Sequence, residues 1–258
     1  MSKTVVIIPT YNEANNLPVL AAELWALMVP ELSILVVDDN SPDGTGGIAD
    51  DLAQRGSGDL HVIHQPVKSG LGRAYLAGFR WALAQDADYV IQMDSDFSHS
   101  PQHVLEMLEE IEQADLVVGS RYVAGGRVDE HWSFGRYFLS WWANAVYTRI
   151  IMNLKVKDAT SGFKCWRASA LQRINLDAIK SNGYSFQFEM AFLAERLGYR
   201  IVEIPIYFED RRIGRSKMTF PVKIEAIFRA WEIRWRYRNL RKTSPPSDAT
   251  TNRVNRRS

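Results

Sequence analysis

The feature that most restricts the fold is an alternation repeated along the first half of the chain. Short, nearly unbroken apolar runs alternate with segments whose apolar residues recur at helical spacing. The runs are KTVVIIPT (3–10), LSILVVDD (32–39), LHVIHQ (60–65), DYVIQMD (88–94) and DLVVGSRY (115–122). Between them, Leu17, Leu20, Leu24 and Leu27 mark a first helix, residues 45–56 a second one closed by Gly56, Gly72–Gln85 a third, and Pro101–Gln113 a fourth with Pro101 in its first turn. Strands apolar on both faces belong to a mostly parallel sheet covered by helices on both sides, an α/β, Rossmann-like architecture. In open sheets of this kind, ligands bind in the crevice at the carboxyl ends of the strands. A chain of 258 residues, 46% hydrophobic, suits one large domain, or one domain with a small annex.

Two strand ends are acidic. Asp38 and Asp39 close the second, Asp94 and Asp96 the fourth, so both pairs should face the crevice. Common phosphate-binding loops do not explain them. No G-x-x-x-x-G-K-[ST] occurs, and SGLGRAY (69–75) has Tyr75 at the third glycine position and does not follow the first strand. Those loops hold phosphate with backbone N–H groups, whereas carboxylates repel phosphate unless a divalent cation lies between. A D-x-D at a strand end can present Asp94 and Asp96 to one hard cation such as Mg²⁺, which takes one or two carboxylates plus substrate phosphates. The plainer alternative is that the two aspartates end the strand and cap the next helix. At the first two strand ends, PTYNE (9–13) offers an aromatic face in Tyr11 and an acceptor in Glu13, and VVDDNSPDGT (36–45) adds Asp39. An aromatic face stacks on a base, and carboxylates accept from base N–H groups or ribose hydroxyls. NSPDG also reads simply as a turn.

PTYNE, VVDDNSPDGT, MDSDFSHSP (93–101), GSRYVAGG (119–126), TSGFK (160–164) and RRIGRSK (211–217) occur in an order and spacing that resembles the dolichol-phosphate mannose synthases, or polyprenyl-phosphate mannosyltransferases. These are inverting glycosyltransferases of the GT-A fold, and the resemblance spans about residues 4–220. It implies that Pro9, Tyr11, Glu13, Val37 and Asp39 line a nucleotide pocket, and that Asp94, Ser95 and Asp96 hold metal and sugar nucleotide. Asp94 and Asp96 would be ligands to Mg²⁺ or Mn²⁺, with Ser98 at a further metal contact. Arg121, Arg211 and Lys217 would hold phosphates and Arg136 the acceptor phosphate, while Ser161 and Gly162 would shape the acceptor side. Many relatives have Ala where this chain has Ser95. The donor implied is GDP-mannose and the acceptor a polyprenyl (dolichyl) phosphate. An acceptor phosphate is already anionic near neutral pH, so the transfer implied needs no general base. A glucosyltransferase using UDP-glucose would show nearly the same motifs.

Charge is uneven. Residues 1–210 hold 17 Lys/Arg and 27 Asp/Glu, and residues 211–258 hold 14 and 3. A basic end on an acidic body points to a polyanion or an anionic membrane surface. Binding of nucleic acid by that end would leave the acidic crevice unexplained. FPVKIEAIFRAWEIRWRYRNLRK (220–242) carries Ile224, Phe228, Trp231 and Trp235 in one stripe among basic residues, the composition of an interfacial helix. FGRYFLSWWANAVYTRIIMNL (134–154) is aromatic-rich and reads equally as interfacial or core. The organisation expected is a catalytic domain over 1–220, an amphipathic helix over 221–242 and a polar tail over 243–258. The longest stretch free of Asp, Glu, Lys and Arg is Tyr137–Thr148, short of the roughly 20 residues of a spanning helix. No signal peptide is recognised, and the lone Cys165 cannot form an internal disulfide. These features predict a cytoplasmic protein, peripheral on a membrane face. The five histidines, His61, His64, His99, His103 and His131, suggest no ligand cluster.

Overall fold

The structure is a computed structural model that describes residues 2–55, 58–129, 135, 140–142, 148–209 and 220–240. The first half follows the predicted alternation: β1 (Thr4–Thr10), α1 (Leu17–Ala26), β2 (Leu32–Asp38), α2 (Thr45–Arg55), β3 (Asp59–His64), α3 (Leu71–Ala84), β4 (Tyr89–Gln92), α4 (His103–Glu110) and β5 (Leu116–Ser120). The second half adds β6 (Arg127–Val128), α5 (Arg149–Met152), β7 (Lys164–Arg167), α6 (Ala168–Gln172), α7 (Tyr184–Arg196), β8 (Ile201–Pro205), β9 (Tyr207–Phe208) and α8 (Phe220–Arg236).

Seven strands form one sheet in the order β3-β2-β1-β4-β7-β5-β8, and β6 pairs with β9 beside it. All neighbours in the large sheet are parallel except β7, which is antiparallel to both β4 and β5. The strand period of two divides the core. Val5, Ile7, Leu35 and Val37 face α3 and α7, whereas Val6, Ile8, Ile34 and Val36 face α1 and α4. The chain leaves β1 toward β2 and leaves β4 toward the opposite edge, so the order reverses between β1 and β4. That reversal opens a crevice at their carboxyl ends.

β7 was not anticipated, yet it shapes this crevice. Its register sets Lys164 opposite Gln92, so the chain just before it, Ser161–Gly162, runs beside the residues just after β4. The C-terminal helix also proves integral to the body. Ala230 and Ile233 are buried with Met152, Leu154, Phe188 and Phe192. Arg236 Nη1 bonds Glu189 Oε1 at 3.0 Å, and Tyr237 Oη donates to the same oxygen at 2.8 Å. Glu189 is fully buried, so the helix supplies the counter-ion of a core carboxylate. The opposite face is bare: Phe228, Trp231 and Trp235 are 70%, 55% and 68% exposed. Ile150 of neighbouring α5 is also exposed. No helix among the described residues is long and apolar enough to cross a membrane. The tail over 243–258 lies outside the described residues.

Candidate active site

The Asp94–His99 turn begins two residues beyond β4, after Met93, at the point of reversal. Met93 still pairs with β1 through its N–H to the Ile7 carbonyl at 3.1 Å. Phe97 then takes a left-handed backbone, φ 63°, an uncommon state for a bulky residue. This bend brings the Ser98 N–H to Asp96 Oδ1 at 3.1 Å. Ser95, Asp96 and Ser98 are buried and Asp94 is half-buried. The Asp94 N–H donates to His99 Nδ1 at 3.2 Å, and Tyr75 Oη donates to Asp94 Oδ1 at 3.2 Å. Among the described residues, no three His, Cys, Asp or Glu side chains converge into a metal cage. Two carboxylates one residue apart at an open crevice instead fit a hard dication that takes its other ligands from a diphosphate and water.

The acidic end of β2 is built differently. Asp38 accepts from Thr10 Oγ1 at 2.9 Å, Ser41 Oγ at 2.6 Å and the Ser41 N–H at 3.0 Å. Asp39, expected to accept from a nucleoside, has both oxygens on backbone amides: Ser69 N–H at 2.6 Å and Gly70 N–H at 2.8 Å. Gly70 has φ 91°, which suits glycine. Asn182 completes the loop, giving Nδ2 to the Ser69 carbonyl at 2.6 Å and taking the Gly72 N–H on Oδ1 at 2.8 Å. Asp39 therefore ties the 69–70 loop to the end of β2. Val37 needs a correction: its side chain is wholly buried in the core on the α3 face, because strand alternation turns it away from the cleft. Pro9, Tyr11 and Glu13 remain part-exposed at the end of β1. The Lys68 ammonium lies 3.5 Å from the centre of the Tyr11 ring, a cation–π contact. Glu13 Oε2 accepts from Asn16 Nδ2 at 2.8 Å.

On the other side of Asp94, Arg121 follows β5. Its fork, expected to hold phosphate, grips Asp158 with Nε and Nη2 both at 2.7 Å, and Nη2 also donates to Thr160 Oγ1 at 2.9 Å. The physical reason is that Asp158 is fully buried and needs a counter-ion. Burial alone would raise its carboxyl, yet the Arg121 charge and hydrogen bonds carry it below the ordinary carboxylate value. Ser161 Oγ donates to the Gly119 carbonyl at 2.7 Å. At Gly162, a Cβ would lie 3.2 and 3.3 Å from the two Asp94 oxygens, so glycine permits the close approach. Lys164, wholly buried, donates to the Ser161 carbonyl and, at 3.0 Å, to Gln187 Oε1. Burial brings its ammonium down to about 7.

The structure thus gathers Tyr11, Glu13, Asp39, Asp94, Ser95, Asp96, Ser98, Arg121, Ser161 and Gly162 at the carboxyl ends of β1, β2, β4 and β5. Arg136, Arg211 and Lys217 lie outside the described residues. Five further residues shape the site without having been singled out for it: Tyr75, His99, Asp158, Lys164 and Asn182. His99 and Lys164 carried a signal, their places in MDSDFSHSP and TSGFK. The others come from elements that meet the crevice only after folding.

Residues 5–174 match the glycosyl transferase family 2 profile. The chain is 45% identical to the undecaprenyl-phosphate mannosyltransferase of Micrococcus luteus, over 93% of this chain and 98% of that one. It is 43% identical to the polyprenol monophosphomannose synthase of Mycolicibacterium smegmatis, over 91% and 88%. Its fold is similar to glucosyl-3-phosphoglycerate synthase of Mycobacterium tuberculosis, solved with Mn²⁺, UDP-glucose and phosphoglyceric acid. That likeness has a TM-score of 0.64 at 17% identity and covers 90% of this chain and 79% of that one. With a GT-A-like sheet, an acidic crevice at its reversal point and these relatives along most of its length, the chain belongs to glycosyl transferase family 2, among the polyprenyl-phosphate mannosyltransferases.

Proposed function

We propose that this protein transfers mannose from GDP-mannose to a polyprenyl phosphate, with inversion at the sugar C1. The observation that carries the sugar and the acceptor class is the 45% identity, over 93% of the chain, to an undecaprenyl-phosphate mannosyltransferase. The finer features rest on the site. Asp94 and Asp96, with Ser98 beside them, would hold Mg²⁺ or Mn²⁺; a protein of the same fold was solved with Mn²⁺ and UDP-glucose. When bound, such a cation neutralises charge on the leaving diphosphate.

The chain's own residues do the rest. Pro9, Tyr11 and Glu13 border the space for the nucleoside, and Asp39 fixes the 69–70 loop across from them. The acceptor phosphate attacks C1 as an anion, so no side chain must remove a proton first. What the protein supplies is alignment behind C1 and positive charge around both phosphates. Arg136, Arg211 and Lys217 are assigned these tasks from sequence. Arg121 acts one step back, holding the Asp158–Gly162 turn against Asp94.

The acceptor's lipid tail requires a membrane surface, and α8 supplies a face for one. Phe228, Trp231 and Trp235 are exposed, and the Arg238 guanidinium sits 4.2 Å from the Trp235 ring centre. Aromatic rings beside cations suit the headgroup boundary. The test is a donor panel: radiolabelled GDP-mannose or UDP-glucose is incubated with polyprenyl phosphate and extracted into organic solvent. Label from GDP-mannose is expected. Label from UDP-glucose alone would overturn the mannose assignment, and no label from either, with folded protein, would overturn the transfer.

A further inference from the structure

Tyr75 stands where a dinucleotide-binding loop has its third glycine, in SGLGRAY. In the structure its ring lies on α3, wholly buried in the core. It stacks on Phe186 at 5.9 Å and 8°, and on Phe79 at 6.3 Å and 27°. Phenylalanine would fill that place equally well, so packing explains the ring and leaves the hydroxyl unexplained. A buried hydroxyl costs stability unless it is hydrogen-bonded, and this one donates to Asp94 Oδ1 at 3.2 Å.

We propose that Tyr75 is a positioning residue that aims the Asp94 carboxylate at the divalent cation, an inference that rests on Asp94 and Asp96 being the cation's ligands. The bond fixes the carboxylate's rotation about its Cβ–Cγ bond. The Asp94 backbone is held separately, by its N–H to His99 Nδ1 at 3.2 Å. His99 is itself clamped, stacked on Phe163 at 4.9 Å and 10°. Acceptance at Nδ1 leaves the ring proton on Nε2. A hydroxyl donating to an ionised carboxylate is a charge-assisted bond, and α3 thereby ties the hydrophobic core to the reacting end of the site. Loss of such outer partners of metal ligands typically weakens metal affinity about 10–100-fold.

Tyr75→Phe isolates the hydroxyl because the ring and its stacking are retained. Mn²⁺ is titrated calorimetrically into wild type, Tyr75→Phe and Asp94→Asn, with and without GDP, and the metal-free Tm of each is recorded. The expected result is Mn²⁺ affinity about 10–100-fold weaker in Tyr75→Phe, with a metal-free Tm close to wild type. Transfer should show a lower kcat at unchanged acceptor KM. Wild-type Mn²⁺ affinity in Tyr75→Phe, with affinity lost in Asp94→Asn, would overturn the positioning role and leave the cation assignment standing. A lower Tm with Mn²⁺ affinity intact would give Tyr75 a packing role and overturn the proposal likewise. Equal affinity in all three proteins, or no Mn²⁺ bound by wild type, would overturn the cation assignment and the positioning role with it.

Discussion

The two acidic strand ends look alike in sequence and differ in what surrounds them. At β2, Asp38 accepts from Thr10 at the end of β1 and twice from Ser41, and Asp39 accepts from the Ser69 and Gly70 amides. These carboxylates close loops: one ties Ser41 to Thr10 on β1, the other holds the 69–70 loop to the sheet. At β4, Asp94 accepts from the Tyr75 hydroxyl and Asp96 from the Ser98 N–H, and half-buried Asp94 opens to the crevice. A wholly buried ammonium, Lys164, lies on the strand beside β4, whereas the β2 end is bordered by backbone amides and hydroxyls. The difference teaches that an aspartate at a strand end is not yet a ligand. What sets the two ends apart is the groups that fold beside them: loop amides and hydroxyls at β2, a core phenol and a turn amide at β4.

Substitutions should separate the two ends. The largest effect is expected for Asp96→Ala, which should lower transfer about a thousandfold or more while leaving Tm near wild type. Initial rates and calorimetry check both halves, and a rate within tenfold of wild type would erase the distinction. Asp38→Ala should do the reverse. Thr10 and Ser41 lose their acceptor, so stability should fall by about 2–4 kcal/mol in urea unfolding, with activity per folded molecule nearly kept.

The smallest effect sharpens the contrast by pH. Burial holds Lys164 at about 7 against an ordinary 10.5. Between those values the unfolded chain binds a proton that the native chain does not, so stability rises with pH. From pH 7 to 9, wild type should gain up to about 1.4 kcal/mol per pH unit relative to Lys164→Met. Parallel pH profiles for the two proteins would show that Lys164 is not held in this state.

The legible part of the fold was the part with clean periodicity. All five early strands and four helices lie where apolar runs and helical spacing put them. β7 escaped because it is four residues long and begins with a buried lysine, and charge hides a short strand. The exposed stripe of Phe228, Trp231 and Trp235 was visible, but not the buried Ala230 and Ile233 or the part-buried Arg236 on the other face. That face joins the helix to the body through Glu189, a partner remote in sequence. In the site, the D-x-D and its turn were readable because they are contiguous. The Arg121–Asp158 pair and the Tyr75–Asp94 bond join residues brought together by sheet order, which no local pattern records.

The central claim, that the β4 carboxylates work through a divalent cation to transfer mannose to a lipid phosphate, has one direct test. Purified protein is stripped with EDTA, given radiolabelled GDP-mannose and polyprenyl phosphate, and assayed for label in the organic phase before and after Mn²⁺ or Mg²⁺ is restored. The account predicts no organic-phase label in EDTA and full recovery on adding the cation. Undiminished transfer in EDTA would contradict it.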